Sequence, residues 1–424
     1  MAGAAGDGGS ATAAGNGSAP APRRPWRGRR ILLGVTGGIA AYKTVQLARD
    51  LTRLGATVDV VITESARRFV GAISYEGVTG RPVYSDLLGE GSALVHIRLA
   101  RDADVVCVAP ATADFIARAA TGRSDDLLAA VLLATRAPVL VCPAMNDRMW
   151  AHPQTRANAA RLVELGYHLV GPATGPLAWD EGSGPGRMEE PPAIIEHIGR
   201  ALSADDPLRG RRVVVTAGPT REAVDPVRVL TNRSSGRMGF ALAAAAWRRG
   251  ADVTLIAGPT ELPPPHGPDV VRAETAEDMV AAVRSALPDA DVLVMAAAIA
   301  DFRPANPATQ KIKKQQRPDA IELESAPDVL ASTREARPAG LAVVGFALET
   351  SDGAANAREK LKSKGLDLIV LNSATEPGSG FEVDTNRVVL IDRNGGEETL
   401  PLMSKDEVAE AILDHAVRFL PARQ

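Results

Sequence analysis

The chain has 424 residues, which at roughly 100–200 residues per domain predicts two or three domains. Its 48 basic and 51 acidic residues give a net charge of -3, and 4% of the residues are aromatic. This composition argues against a basic nucleic-acid binder with aromatic stacking platforms. No run of about 18 apolar residues predicts a membrane span. Two cysteines cannot form a disulfide framework, so we expect a cytoplasmic protein.

The first 29 residues are mostly Gly, Ala, Ser and Pro. Such a segment buries too little apolar surface to offset the entropy lost on ordering, and we predict a disordered tail over residues 1–29. Arg23 and Arg24 before Ile31–Leu33 also fit a twin-arginine signal. Gly34 interrupts that apolar run, which favours a strand followed by a turn.

A pattern of strand, turn and helix begins at residue 30. Arg30–Val35 is an apolar strand, and a helix follows that ends before Gly55, a residue suited to the position after a helix. The apolar face of this helix is predicted to comprise Ile39, Tyr42, Leu47, Leu51 and Leu54. Further strands are predicted at Thr57–Ile62, Val105–Ala109 and Val139–Cys142. This alternation predicts an α/β domain with a doubly wound parallel sheet.

The same order restarts near residue 210. A strand, a helix and a second strand are predicted at Arg211–Val215, Gly239–Arg249 and Ala251–Ile256. Later strands are predicted at Val292–Ala296, Val343–Phe346, Leu368–Leu371, Val388–Ile391 and Glu398–Leu402, the last two as a hairpin turning at Asn394-Gly395. With a linker at Asp205-Asp206-Pro207, we expect two Rossmann-like domains, 30–205 and 209–424, each with its own site.

Polar residues follow three strands of the first half, where open parallel sheets bind ligands. These segments are Gly34–Gly38, Ala109–Asp114 and Pro143–Asn146. The first opens a helix and suits a phosphate, although it is not the G-x-G-x-x-G dinucleotide pattern. His96 taken alone fits a surface residue, and Gly184–Met188 taken alone fits a flexible loop. The convergence of three strand ends predicts a ligand cleft.

Together these segments resemble the homo-oligomeric, flavin-containing cysteine decarboxylases. The resemblance implies FMN bound at a subunit interface and oligomers built from trimers. It implies that His96 is the active-site histidine and that Asn146 holds the substrate carboxylate. The positions it implies for FMN are Gly37, Gly38, Thr63, Ala109, Pro110 and Thr112.

The flap of this half departs from that family. Many members carry a proton-donating cysteine before the Gly-x-Gly-Arg-Met motif, which here ends in Arg187 and Met188, and this flap has no cysteine. Asp180 or Glu181 would replace it. Such an acid serves near neutral pH only if burial under the flap, for example against Trp179, raises its pKa. The alternative is a slow or inactive first half.

The second half concentrates polar and glycine residues in Thr216–Glu222 and Asn232–Gly239. Ser234-Ser235-Gly236 precedes a helix and suits a phosphate, although an N-cap in a solvated loop has the same pattern. Asp301 follows a strand and is a candidate Mg²⁺ ligand beside a triphosphate. Lys311–Lys314 is either a solvated surface or a loop that closes over phosphoryl oxygens.

This half resembles the phosphopantothenate–cysteine ligases over almost its whole length. In that family CTP activates the carboxylate of 4′-phosphopantothenate as an acyl-cytidylate, which the cysteine amine attacks. The resemblance implies that Asn232 contacts the acyl-cytidylate, that Lys311 stabilises charge on the α-phosphate, and that Asp301 lies beside the metal. The positions it implies for CTP are Met295, Ala296, Ala297, Asp301, Lys311, Pro327, Asp328, Val329, Leu330, Phe346, Lys360 and Lys364.

In this order the two halves resemble the bacterial bifunctional phosphopantothenoylcysteine decarboxylase/phosphopantothenate–cysteine ligases of coenzyme A synthesis. The implied substrates are 4′-phosphopantothenate, cysteine and CTP, with FMN and Mg²⁺ as cofactors and neither nucleic acid nor membrane as a partner. The implied assembly combines trimers of the flavin domain with dimers of the ligase domain, up to a dodecamer. One rival is a ligase whose flavin domain is a scaffold or regulator. The missing G-x-G-x-x-G argues against another, a nicotinamide-dependent reductase.

Overall fold

The computed structural model describes residues 24–88, 93–314, 320–349, 353–373 and 383–422. The first domain contains the strands β1 (Arg30–Val35), β2 (Thr57–Ile62), β3 (Val83–Tyr84), β4 (Val105–Ala111), β5 (Val139–Pro143), β6 (His168–Leu169), β7 (Ala173–Pro176) and β8 (Ser183–Arg187). Its helices are α1 (Ala41–Arg53), α2 (Ala72–Thr79), α3 (Val95–Asp102), α4 (Ala113–Ala120), α5 (Leu127–Ala134), α6 (Asp147–Ala151), α7 (Pro153–Glu164) and α8 (Pro191–Ala201).

Six of these strands form a parallel sheet in the order β3-β2-β1-β4-β5-β6. The predicted doubly wound α/β domain is confirmed. The strand order reverses between β1 and β4, so the loops after these strands flank the crevice where such sheets bind ligands. Gly34 in β1 lets α5 approach closely, because a Cβ there would lie 2.5 Å from Leu128 Cδ1.

The buried face of α1 differs from the prediction. Leu47 and Leu51 are buried, but Ile39 and Tyr42 are 68% and 64% exposed. Ile39 precedes the first helical residue and therefore does not follow the helical period. The buried positions within α1 are Ala41, Thr44, Leu47, Ala48 and Leu51. The prediction was wrong for Ile39 and Tyr42, which both line the cavity described below. It was also wrong for Leu54, which follows the last residue of α1 and is 36% exposed.

The second domain contains the strands β9 (Arg212–Ala217), β10 (Arg221–Ala223), β11 (Val229–Thr231), β12 (Asp252–Ala257), β13 (Asp269–Arg272), β14 (Val292–Met295), β15 (Phe302–Pro304), β16 (Leu323–Ser325), β17 (Ala342–Glu349), β18 (Leu368–Ser373), β19 (Thr385–Asn386), β20 (Val388–Asp392), β21 (Glu397–Thr399) and β22 (Met403–Ser404). Its helices are α9 (Arg237–Arg248), α10 (Ala276–Ala286), α11 (Val329–Ser332), α12 (Gly353–Ser363) and α13 (Lys405–Ala416).

The main sheet of this domain has the order β13-β12-β9-β14-β17-β18-β20-β21. Its first six strands are parallel, and β20 and β21 extend it as the predicted antiparallel hairpin, with Gly395 at φ 90° in the turn. Helices α9 and α13 pack on one face, and α10, α11 and α12 on the other. Within the described ranges, no helix has both the length and the apolar character needed to cross a membrane.

The predicted N-terminal tail is too long. Residues 1–23 lie outside the described residues, but residues 24–29 pack against both domains. Trp26 is buried, and its indole N–H donates to the Ile195 carbonyl at 3.2 Å. The Arg248 guanidinium of the second domain lies 5.0 Å from the centre of the Trp26 ring. This tryptophan supplies apolar surface that the Gly- and Ala-rich residues before it do not, and it anchors the segment.

Buried charges join the two domains. Arg248 is 2% exposed and contacts the Glu196 carboxylate of α8 at 2.9 Å and the Glu410 carboxylate of α13 at 2.8 Å. Burial alone would lower the pKa of Arg248, but the charges of Glu196 and Glu410 outweigh this effect and raise it. Arg249 pairs with Asp206 of the linker at 3.0 Å. The domain interface therefore depends on ion pairs that are shielded from water.

Candidate active sites

The first cavity lies at the carboxyl ends of β1, β4 and β5 and has a volume of about 530 Å³. It is lined by Gly37-Gly38 after β1, Thr112 after β4 and Asn146 after β5. Thr36 ties the first two loops together, because its Oγ1 donates to the Pro110 carbonyl at 2.7 Å and accepts from the Thr112 N–H at 3.1 Å. The structure thus brings the three strand ends together.

Three positions implied for FMN lie behind this cavity rather than on its wall. Ala109 and Pro110 are buried in β4, and Thr63 is buried with its Oγ1 3.2 Å from Ser65 Oγ. Gly37 packs on the same serine, since a Cβ at this position would lie 2.5 Å from Ser65 Cβ. These residues therefore shape the cavity by supporting the glycine turn.

The two residues with implied catalytic roles are not brought together within one chain. Asn146 lines the cavity, and its Oδ1 accepts from the Arg148 N–H at 2.9 Å, which leaves its amide N–H bonds for a ligand. His96 lies on α3 and is not among the lining residues. Its Nδ1 is buried and has no hydrogen-bond partner among the described residues.

The flap is the β7–β8 hairpin. The Met145 N–H donates to the Gly186 carbonyl at 2.9 Å, which joins the flap to the end of β5. Gly186 has φ 149°, and a Cβ there would lie 2.3 Å from the Met145 carbonyl oxygen, so glycine is needed at this contact. Arg187 and Met188 both line the cavity, and Arg187 pairs with Glu190.

The structure separates the two candidate acids of the flap. Glu181 lines the cavity, whereas Asp180, at φ 62° in the flap tip, is not among the lining residues. Trp179 is 98% exposed. Trp179 therefore does not bury either acid in the single chain, because its ring is surrounded by solvent.

The second cavity has a volume of about 390 Å³ and lies at the carboxyl edge of the second sheet. The loop Asn232–Gly239 forms one wall. The Asn232 amide nitrogen donates to the carbonyls of Ala298 and Ile299 at 3.2 and 3.1 Å, which leaves its amide oxygen as an acceptor. Of the positions implied for CTP, those that line the cavity are Ala296, Ala297, Asp301, Phe346 and Lys360.

The other positions implied for CTP lie outside the cavity lining. Met295 is buried in β14, and Pro327–Leu330 leads into α11. Asp328 caps α11 by accepting from the Ala331 N–H at 2.9 Å, and it also pairs with Lys364. Burial would raise the pKa of Asp328, but its bonds to Lys364 and the helix amides outweigh this effect and lower it.

Lys311 is exposed and lies outside the cavity lining. Its loop is anchored one residue later, where the Ile312 N–H donates to Asp225 Oδ2 at 3.1 Å. The bond from Arg228 to Asp225 holds the pKa of that carboxyl well below its usual range, so the anchor is an anion. The structure therefore does not place Lys311 in contact with the other predicted residues.

Sequence reasoning missed Asn386 and Lys405 of this cavity and singled out Arg237 only as part of Asn232–Gly239. Arg237 begins α9, Asn386 lies in β19, and Lys405 begins α13, and all three line the cavity. Lys405 is far from the glycine loop in sequence and stands in no recognisable motif, so only the packing of α13 on α9 brings it there. In the described part of the chain, no group of three or more His, Cys, Asp or Glu residues is arranged to hold a metal ion.

Two family matches cover nearly all of the described chain. The Flavoprotein family matches residues 21–203, and the DNA/pantothenate metabolism flavoprotein C-terminal domain matches residues 208–420. A relative from Mycobacterium tuberculosis (strain ATCC 25618 / H37Rv), "Coenzyme A biosynthesis bifunctional protein CoaBC", is 48% identical over 92% of this chain and 97% of its own length. This chain belongs to the coenzyme A biosynthesis bifunctional protein family.

A second curated relative shows the same coverage, and a solved structure matches the second domain. The relative of the same name from Escherichia coli (strain K12) is 42% identical over 92% of this chain and 97% of its own length. A solved structure of the C-terminal domain of such a protein shares 37% sequence identity and covers 50% of this chain and 97% of its own, with a TM-score of 0.44. Both curated relatives span the two domains, so membership of the bifunctional family applies to the whole chain.

Proposed function

We propose that this family member catalyses two consecutive reactions of coenzyme A synthesis. The second domain ligates 4′-phosphopantothenate to cysteine at the expense of CTP, and the first domain decarboxylates the resulting 4′-phosphopantothenoylcysteine to 4′-phosphopantetheine with FMN. The observation that carries the proposal is the pair of cavities at the carboxyl edges of two Rossmann-type sheets, each lined by residues matching one of the two enzyme families. The full-length similarity to bifunctional relatives supports the same pairing.

In the ligase reaction the carboxylate of phosphopantothenate attacks the α-phosphorus of CTP, and pyrophosphate leaves. The cysteine amine then attacks the acyl carbon and displaces CMP. Asn232 contacts the acyl-cytidylate through the amide oxygen that its bonds to Ala298 and Ile299 leave as an acceptor. Lys311 reaches the α-phosphate when its loop closes, and donors placed where charge develops lower the barrier.

The proposal includes Mg²⁺, which would bind together with the triphosphate of CTP. Asp301 is the acidic side chain among the described residues that line the second cavity. Mg²⁺ commonly binds through one or two carboxylates together with substrate phosphates and waters. A single protein carboxylate is therefore enough for a metal that arrives with CTP.

The first cavity fits FMN. Its volume of about 530 Å³ lies within the ~300–1,000 Å³ typical of cofactor pockets. Gly37-Gly38 opens α1, which has no side-chain cap, so backbone N–H groups there suit a phosphate. Gly37, Gly38 and Thr112 would hold the cofactor, with Thr63, Ala109 and Pro110 supporting them from behind. When bound, FMN supplies the reversible two-electron chemistry that the decarboxylation uses.

Two side chains of this domain handle the substrate. Asn146 directs its amide N–H bonds to the carboxylate that leaves as CO₂, since its oxygen is already bonded to the Arg148 N–H. Glu181 protonates the ene-thiolate that remains after CO₂ departs, because it lines the cavity and Asp180 does not. Since Glu181 is exposed in the single chain, this role requires that the bound cofactor and substrate bury its carboxyl and raise its pKa. In this proposal Glu181 replaces the cysteine that many members of the decarboxylase family carry on the flap.

His96 reaches the cavity from a neighbouring copy in the proposed assembly. It lies beside Leu94 and Ile97, which are 71% and 44% exposed, and a second copy would cover such apolar surface. Trimers of the first domain and dimers of the second, combined, give the proposed dodecamer. We also propose a cytoplasmic location. Cys107 and Cys142 are buried free thiols although their Sγ atoms are only 3.9 Å apart, which is consistent with a reducing compartment.

The missing flap cysteine favours a second candidate, a ligase whose first domain is a scaffold or regulator. The test uses the purified full chain, its visible absorbance, and product analysis with phosphopantothenate, cysteine, CTP and Mg²⁺. A flavin band together with phosphopantetheine supports the bifunctional proposal. Phosphopantothenoylcysteine that accumulates without phosphopantetheine supports the second candidate. Absence of CTP consumption contradicts both.

A further inference from the structure

Residues 24–29 form a strap that crosses from the first domain to the second. The Gly28 N–H donates to the Gly55 carbonyl at 2.9 Å, which fixes the strap to the loop after α1. The Arg27 N–H donates to the Arg24 carbonyl at 3.0 Å and closes a turn. The strap is therefore based on the first domain, and its contacts with the second domain are contacts between the two halves of the chain.

One end of the strap is fastened to the first turn of α13. The Arg24 Nε donates to Glu407 Oε1 at 2.9 Å. The other carboxylate oxygen of Glu407 accepts from the Ser404 N–H at 3.1 Å, within the capping box of α13. Burial alone would raise the pKa of Glu407, but its bonds to Arg24 and Ser404 outweigh this effect and lower it. A single carboxylate anion thus holds both the strap and the start of the helix.

The start of α13 is also part of the wall of the second cavity. Lys405, the first residue of α13, lines this cavity, and Glu407 follows two positions later. Helix α9 packs on α13 and contributes Arg237 and Met238 from its own first turn to the same wall. The strap therefore ends within one helical turn of the second cavity, although it precedes the first domain in the sequence.

The first domain holds the end of α9 as well. Two neighbouring residues of α9 form reciprocal stacks with it. The Arg248 guanidinium lies 5.0 Å from the ring centre of Trp26, and the Arg200 guanidinium of α8 lies 4.7 Å from the ring centre of Trp247. The His197 ring meets Trp247 edge-on, with 4.9 Å between the ring centres. Because such stacks gain strength when they are shielded from water, the first domain fixes α9 at its end and α13 at its start.

The two strap side chains differ in how much they stabilise these contacts. Trp26 is buried between α8 and Arg248. The Arg24 side chain is 49% exposed, and exposed ion pairs contribute little to stability. We therefore expect Trp26 to carry most of the effect of the strap and Arg24 to add a smaller part.

We propose that the strap is a working part of the ligase, because it holds the α9–α13 wall of the second cavity in its binding position. This inference rests on the proposed ligase function. It makes ligation depend in part on a segment that precedes the decarboxylase domain. Trp26 and Arg24 are positioning residues, since neither is among the residues that line the second cavity.

The test compares Trp26→Ala, Trp26→Phe and Arg24→Glu in the full chain. Arg27→Gln is the matched control, because Arg27 is an exposed residue of the same strap. The measurements are kcat and KM for ligation, the flavin absorbance, decarboxylation of added phosphopantothenoylcysteine, and hydrogen exchange of the first-turn amides of α13.

A misplacement of about 1 Å can cost ~100-fold in rate, so a partly loosened wall in Trp26→Ala predicts a loss of about 10-fold in kcat/KM for ligation. Most of this loss appears in KM, because the wall binds substrate. Hydrogen exchange in the first turn of α13 becomes faster in the same variant, since local opening costs less. Flavin absorbance and decarboxylation stay near wild type, because no strap residue lines the first cavity.

The other variants grade the effect. Trp26→Phe keeps a ring beneath Arg248 and retains most of the ligation. Arg24→Glu places a like charge beside Glu407 and lowers kcat/KM for ligation by about 2- to 5-fold. Arg27→Gln leaves ligation and hydrogen exchange as in wild type.

Two results would overturn the inference. One is unchanged ligation in Trp26→Ala, with or without faster exchange in α13, which would mean that the strap does not shape the site. The other is a parallel loss of ligation, decarboxylation and flavin, which would indicate general destabilisation. If Trp26→Ala does not fold, Arg24→Glu must show the loss of ligation with decarboxylation intact. A wild-type chain without CTP-dependent ligation would instead refute the proposed function, and hydrogen exchange in α13 would still show whether the strap holds this wall.

Discussion

Replacing Arg248 by methionine is expected to destabilise the contact between the two domains. Methionine keeps the length and apolar character of the side chain but removes the guanidinium that lies 2.9 Å from the Glu196 carboxylate and 2.8 Å from the Glu410 carboxylate. Glu410 keeps a weaker contact with Arg249 at 3.7 Å, so the loss falls mainly on Glu196. Removing one partner of a buried ion pair costs about 3–5 kcal/mol. For a domain of this size that corresponds to a fall of about 6–20 °C in the unfolding midpoint.

The pH dependence of this loss follows from the carboxylates. Burial already raises the pKa of Glu196, with the charge of Arg248 opposing the effect. Without Arg248 the folded-state pKa rises further above the unfolded value, so ionisation disfavours the folded state at neutral pH. The deficit relative to wild type is therefore full above the folded-state pKa of Glu196 and shrinks as the pH falls through it and this carboxyl becomes protonated.

The assay is thermal unfolding of wild type and variant at a series of pH values from neutral to mildly acidic. Arg212→Met is the matched control, because Arg212 forms an exposed pair with Asp289 at 2.6 Å and exposed pairs contribute only ~0.2–1 kcal/mol. An Arg248→Met variant as stable as Arg212→Met would refute the reasoning. So would a deficit that grows towards acid pH.

Three further predictions concern the reactions. Lys311→Gln should lower ligase turnover by ~10²–10³ through loss of one donor at developing charge, while CTP still binds in equilibrium titrations. The control Lys313→Gln replaces an exposed lysine of the same loop and should change turnover little. An equal fall in turnover for both variants would contradict the assignment of Lys311. Glu181→Gln should slow decarboxylation and let the ene-thiolate accumulate in single-turnover experiments, whereas Asp180→Asn should not. Accumulation in Asp180→Asn but not in Glu181→Gln would show that Asp180 is the acid. Removal of Mg²⁺ by a chelator should stop CTP consumption and leave decarboxylation of added phosphopantothenoylcysteine intact, and ligation that persists would exclude a required metal.

The sheets were predictable because their strands are buried on both faces. Runs such as Arg30–Val35 and Val292–Met295 are apolar without alternation, as a parallel sheet covered by helices requires. The three strand ends that meet in the first cavity were predictable for the same reason, since parallel strands end at one edge. The hairpin turn at Asn394-Gly395 was predictable because Asn and Gly adopt the positive φ angles that tight hairpin turns require.

Features set by packing between distant segments were not predictable. Trp26 is ordered because α8 and Arg248 cover it, and composition alone assigned it to the tail. Ile39 and Tyr42 fit a helical period, but Ile39 precedes the helix and both side chains face the cavity. Lys405 enters the second cavity only because α13 packs on α9. Each of these contacts joins segments that no local pattern connects.

The most direct test of the account is to follow CO₂ released from carboxyl-labelled cysteine by the purified full chain. With phosphopantothenate, CTP and Mg²⁺ present, the account predicts labelled CO₂ and CMP in equal amounts at completion, with phosphopantetheine as the other product. Omitting either CTP or phosphopantothenate should abolish the release, because free cysteine is not the substrate of the decarboxylase. Formation of CMP without CO₂ would contradict the bifunctional assignment, and release of CO₂ without CTP would contradict the order of the two reactions.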